Sequence, residues 1–285
     1  MWVLYAGLNP FIDSTRNIFS KKASRNIDPM LISLANNGIP MVLFSPVIFF
    51  VDFKYDAAYF TSLIISALIN IAAVLLYHKA LSKGDISEVV PMLSFTPLFL
   101  LLSSPVLIGE FPSVYGVIGI LLLVAGSYLL NINNLKQGII KPFRSLIKNK
   151  GTRYMLIVAF IWSISANFDK IAIAHSSVWQ YAFTVNVLIT AGIGAIVIAK
   201  KKFSAGQIKL ERTNLLLVGL LTTAGFYVHM TALSLTLVAY VIAFKRMGGM
   251  ISVVYGRVFL GETNIRARFL GASLMFAGVL FILLF

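Results

Sequence analysis

The chain contains no cysteine and very little charge. The first absence excludes disulfides, thiolate metal sites and thiol nucleophiles. Only 12% of the 285 residues are Asp, Glu, Lys or Arg, far fewer than the surface of a soluble enzyme with a large core carries. Acidic residues are the scarcest, ten against 24 Lys and Arg. Three histidines occur without ligand spacing, so His229 does not read as a metal ligand. No P-loop, dinucleotide fingerprint, HExxH or nucleophile elbow is present. The chain therefore reads as a non-enzyme with no cofactor and no ATP-driven step of its own. Met1 leads into WVLYAGLNPFI without a basic n-region, so no cleaved signal peptide is expected.

Apolar residues fill the space the charges leave. They make up 59% of the chain, the mean hydropathy is +0.89, and runs of about 20 residues recur at the length that crosses a bilayer. Ten spans are drawn, near 2–19, 30–51, 59–80, 86–108, 112–131, 153–174, 177–199, 213–235, 238–260 and 267–285. The first is the most interrupted, by Asn9, Pro10, Asp13 and Arg16. The expected fold is all-α, a polytopic membrane protein in which membrane lipids are the solvent. The net charge of +14 does not point to nucleic acid, because the cations are spread over short loops rather than gathered on a domain with exposed aromatics.

A basic connection, 132–152, divides the chain into halves at 1–131 and 153–285. A shift of 152 positions lays Ala80-Leu81-Ser82 on Ala232-Leu233-Ser234 and Gly109-Glu110 on Gly261-Glu262. The same shift carries Gly119 onto Gly271 and Ala125-Gly126 onto Ala277-Gly278, and a slightly different one pairs Asp13 with Asp169. Five spans per half is an odd number, so the second half enters the membrane inverted. Inverted repeats with a midplane site are a transporter architecture.

Twenty of the 24 cations fall in or beside the loops after the odd-numbered spans. Positive loops stay inside, which places both termini on the non-cytoplasmic side, with the cell (cytoplasmic) membrane as the expected location.

Candidate functional residues follow from polar groups inside apolar spans. Lys245 and Arg246 sit side by side near the middle of span nine. Each costs about 3 kcal/mol at the centre of a membrane helix, so such cations face a partner or a water-filled cavity. The bland alternative is a pair neutralised by Asp13 and Asp169. Span three carries Ser66, Asn70, Ala73 and Tyr77 on one helical face, and the shift sets Thr222, Gly225 and His229 opposite the last three. That repeated stripe lines a cavity or bonds helix to helix. Asp13 and Asp169 either couple protons or balance charge, Asp13 with Arg16 one turn on. Gly248-Gly249 aligns with Thr96-Pro97, where glycine and proline permit close packing or hinge bending. Asp85 to Glu88 reads as a helix cap, and Glu110 and Glu262 as carboxylates favoured at helix starts.

On Ala80-Leu81-Ser82, Pro97, Gly109-Glu110, Gly119 and Ala125-Gly126, and their second-half counterparts, the chain resembles the EamA-type members of the drug/metabolite transporter superfamily. The resemblance implies ten helices in two inverted five-helix repeats and alternating-access movement of small metabolites. It also implies an anion-binding role for Lys245-Arg246, since organic-phosphate translocators of plastids are similar in carrying such a doublet on the ninth helix. Many family members are described with both termini in the cytoplasm, opposite to the loop count.

The expectation is a secondary transporter of a small anionic metabolite. Lys245 and Arg246 hold the anion against Tyr77, Trp162, Tyr240 and His229, and an ion gradient or exchange substrate drives the cycle. A lipid or lipid-linked sugar flippase on the same fold, and a membrane scaffold that transports nothing, are the alternatives.

Overall fold

Prolines and small residues decide where the apolar runs stop being helical. The computed structural model describes residues 1–54, 56–83, 89–131, 149–248, 251 and 265–284. In chain order the α-helices are α1 (Trp2–Ala23), α2 (Pro29–Phe44), α3 (Ala57–Ser82), α4 (Thr96–Ile108), α5 (Val114–Asn131), α6 (Lys150–Ala174), α7 (Val178–Ala199), α8 (Ala205–Leu210), α9 (Arg212–Leu235), α10 (Val238–Lys245) and α11 (Ile265–Leu284). No strand occurs among the described residues. Asp28 starts α2 by accepting from the Met30 amide at 2.9 Å, with Pro29 in the first turn, where its missing N–H costs nothing. Ser177 starts α7 in the same way, accepting from the Gln180 amide at 3.1 Å.

Two spans change character part-way. The second ends in a 3-10 turn, Ser45–Phe49, entered through Pro46. The fourth begins in a 3-10 turn, Val90–Phe95, and becomes α4 at Thr96, with Pro97 buried in the first turn. At the far end of α4, Gly109 adopts φ +69°, a left-handed cap that a side chain resists.

Stretches Pro29–Phe49, Ala57–Tyr77, Lys150–Ala174, Val178–Ala199 and Arg212–Leu235 are long and apolar enough to cross a membrane, and Met92–Ile108, Val114–Leu129 and Leu270–Leu284 form shorter apolar helices. Leu102, Val106 and Phe111 turn outward in place of polar surface, as a lipid solvent allows. The chain is an all-helical polytopic membrane protein.

The helices cluster into two compact units, Met1–Val74 with Phe168–Leu235 and Leu75–Asn167 with Thr236–Phe285. Each unit draws helices from both halves of the sequence, and α3 and α6 contribute to both. Within the first unit α1 packs on α9, and α2 on α7 and α9. Within the second, α5 packs on α11, and α10 on α4 and α5.

The 152-residue shift is legible in this packing. Gly119 lies against the backbone of Gly278, and Gly126 against that of Gly271. The shift exchanges these two contacts, because it turns 119 into 271 and 126 into 278. In the first unit, Gly38 faces Thr190, its own counterpart under the shift. Equivalent helices meeting at equivalent residues is the signature of a local pseudo-two-fold axis.

Candidate functional site

In the second unit, α10 ends at Lys245 and Arg246 is its C-cap, followed by a turn. The ninth span is thus interrupted at the cations: α10 ends there, and a two-residue turn, Arg246–Met247, precedes a helical Gly248. The negative end of a helix dipole favours positive charge, so the break itself lowers the cost of burying it. Lys245 and Arg246 are both half-buried. The Arg246 guanidinium donates to Thr96 Oγ1 at 2.9 Å, and Thr96 is the first residue of α4 after its 3-10 entry. The irregularities in spans four and nine, which the shift places at matching depth, are thus in direct contact. Thr96 as the partner of Arg246 is not apparent from residue type; the repeat register, which aligns Thr96 with Gly248, is the signal that locates it.

The aromatic candidates of this unit separate. Tyr77 and Trp162 lie 6.2 Å apart, centroid to centroid, with planes inclined at 34°. Tyr240 points to α5, its hydroxyl against Gly116, where an added Cβ would come within 1.9 Å. Gly248 is described and half-buried; Gly249 lies outside the described residues, as do Asp85, Glu88, Gly261, Glu262 and most of the basic connection.

Glu110 has a function that its position before α5 conceals. Its Oε2 accepts from the Val238 amide at 2.8 Å, capping the start of α10, whose own N-cap, Leu237, offers no side-chain acceptor. The Gly109-Glu110 motif thus combines a helix stop with the start of a helix 128 residues away.

The remaining candidates belong to the first unit. Asp13 and Arg16 form an ion pair at 3.1 Å on α1. Asn9, one turn earlier, donates to the Gly225 carbonyl of α9 at 2.9 Å, beside Asp13. Thr222 bonds the Asn36 side chain of α2 or the Val218 carbonyl at 2.7 Å, and His229 is buried farther along α9. Asp169, on α6, is buried, and its Oδ1 accepts from both Ser66 of α3 and Tyr181 of α7. The Tyr181 hydroxyl also reaches Ser66 Oγ at 3.0 Å, and Asn70 donates to Ser66 Oγ at 3.2 Å. Tyr181 escapes a reading based on charges inside spans, because an isolated tyrosine in an apolar run carries no pattern.

At the ends of this unit, polar groups tie connections down. Asp56 pairs with His175, and its carboxyl is held below the usual range first by the Ala58 amide and then by His175. Glu211 is lowered by hydrogen bonds from Asn214 and then from Asn26. Lys202 reaches Asp28 at 2.6 Å.

The profile of the EamA-like transporter family matches residues 1–132 and again 149–284. A crystal structure of another protein superposes with a TM-score of 0.78 over 99% of this chain and 97% of that one, at 16% identity, which is a likeness of fold. No curated protein matches the sequence. With two family matches in tandem on ten successive apolar spans, the chain belongs to the EamA-like transporter family and is a membrane transporter of the drug/metabolite superfamily.

Proposed function

We propose that the chain is a secondary transporter of a small anionic metabolite, a carboxylate or a phosphate ester, with Lys245 and Arg246 holding the anionic group. The observation that carries this reading is the contact between the two helix breaks. Interrupted helices at corresponding positions of two inverted halves are a recurring way to present polar groups to cargo. Here one break bears two adjacent cations, and the hydrogen bond to Thr96 orients the guanidinium at the other. A guanidinium carries five N–H donors in a planar fork and matches carboxylate or phosphate oxygens two at a time. Tyr77 and Trp162, paired in the same unit, offer an apolar wall for the body of such a molecule. The sequence has no nucleotide motif, so the energy source in this reading is an ion gradient or exchange, with Asp13, Arg16 and Asp169 as the charge-balancing groups. Charge in the loops puts both termini on the non-cytoplasmic side.

The test is uptake into vesicles reconstituted with the full chain, using a panel of labelled monocarboxylates, dicarboxylates and phosphate esters. Charge-assisted hydrogen bonds contribute about 1.5–3 kcal/mol, so Arg246→Ala should lower uptake of the preferred anion roughly tenfold to a hundredfold. Lys245→Ala should act in the same direction, and Arg246→Lys should recover only part of the loss, since an ammonium cannot bind bidentately. Normal uptake by both alanine variants overturns the anion site.

A further inference from the structure

We propose that one end of the first unit, where the α1–α2 and α7–α9 connections meet, binds the headgroups of anionic phospholipids. This goes beyond the transport reading and needs no assignment of cargo.

Side chains bring the two connections together. Asn26 donates to Glu211, the Asp28 amide donates to Gln207 Oε1 at 3.3 Å, and Lys202 reaches Asp28 Oδ2 at 2.6 Å. The short helix α8 is thereby tied to the start of α2. The surface that results is basic. Lys22 and Arg25 on the α1 side, and Lys200, Lys201, Lys209 and Arg212 on the other, are all exposed. The two acids of these connections are engaged within the protein. Asp28 caps α2 and pairs with Lys202, while Glu211 is buried and accepts from Asn26 and Asn214. The excess positive charge therefore faces outward. The opposite end of α2 has the reverse balance, with Asp52 and Asp56 against Lys54 on the connection to α3.

Charge alone attracts any polyanion; the apolar groups beside it select a lipid. Ile198, Phe203 and Leu210 are 70%, 58% and 69% exposed, in the same stretch as Lys200, Lys201, Lys202 and Lys209. A soluble polyanion would leave these three in water. A bilayer interface takes the cations among its phosphates and the apolar side chains among its acyl carbons. Lys201 adds a third observation. It follows the end of α7 at φ +53°, the left-handed position that glycine ordinarily fills and that strains a residue with a side chain. A cation stands there in spite of that strain.

The experiment is thermal unfolding of the full chain in nanodiscs of phosphatidylcholine, with and without phosphatidylglycerol, at low and high salt. Phosphatidylglycerol should raise the melting temperature by several degrees, and salt should shrink the gain, because exposed charges are screened. The combined variant Lys200→Gln, Lys201→Gln, Lys209→Gln and Arg212→Gln should lose most of that gain while melting like wild type in phosphatidylcholine. Lys54→Gln, at the other end, should keep it. Lys201→Gly separates strain from charge. It should melt higher than wild type in phosphatidylcholine, yet gain less from phosphatidylglycerol. Phe203→Ser with Leu210→Ser should also reduce the gain. A full gain in the four-residue variant overturns the site. An equal rise from inorganic phosphate in detergent at matched ionic strength overturns the lipid as its occupant. Uptake is not measured, so failure here leaves the anion site standing, and failure of the uptake test leaves this surface standing.

Discussion

The two compact units solve the same problem, joining helices from opposite halves inside a bilayer, by different means. The α5–α11 pair of the second unit does it with backbone. α5 and α11 cross where Gly119 and Gly126 face carbonyls of Gly278 and Gly271, close enough that an added Cβ would lie 2.7 and 2.5 Å from them. The first unit does it with side chains: Asn9 to the Gly225 carbonyl, Thr222 to Asn36, Ser66 to Asp169. Lipid supplies no hydrophobic drive between helices, so close packing and hydrogen bonds are the two resources available. In the second unit, the half-buried end of one helix, α10, carries two adjacent cations.

The largest effect should come from filling the backbone crossing. Gly126→Ala places a methyl against the carbonyl of Gly271 and the amide of Met275, neither of which can rotate away. Overpacking costs about 1–3 kcal/mol, more where backbone must move, so the melting temperature in detergent should fall clearly. Gly38→Ala is the contrast. Its nearest neighbour would be the Thr190 methyl at 3.6 Å, ordinary contact, and the change should stay within about 0.5 kcal/mol of neutral. Equal losses at the two glycines would break the comparison. An intermediate effect is expected of Thr222→Val, which removes a hydrogen bond between α9 and α2 at nearly constant volume. It should cost about 0.5–2 kcal/mol in thermal unfolding. The smallest effect concerns pH. The Asp56 carboxyl is held below the usual range, so its contribution is complete above the unfolded carboxylate value and is lost as pH falls through the lower folded one. Melting curves of Asp56→Asn should therefore match wild type in strong acid and fall slightly below it near neutrality.

Much of this was legible in the chain. The spans follow from apolar run length, and the 152-residue shift picked out the four glycines, though not that Gly119 meets Gly278 and Gly126 meets Gly271. Of the stripe on span three, Ser66 is buried and Asn70 half-buried, and Asn70 bonds Ser66. Span nine was harder, because VAYVIAFKRMGG is apolar enough to read as one continuous helix, and hydropathy is blind to a turn made at a helix C-terminus. Glu110 was read as serving the helix that follows it, since sequence proximity says nothing about a partner 128 residues away.

Composition, run length and repeat register were enough to determine a helical membrane protein in two related halves, because each depends on local chemistry repeated along the chain. Which hydroxyls converge on Asp169, which break receives Arg246 and which helix Glu110 caps were decided only by the folded chain. Those contacts join residues 12 to 150 positions apart, and a hydrogen bond's geometry is set by where whole helices come to rest.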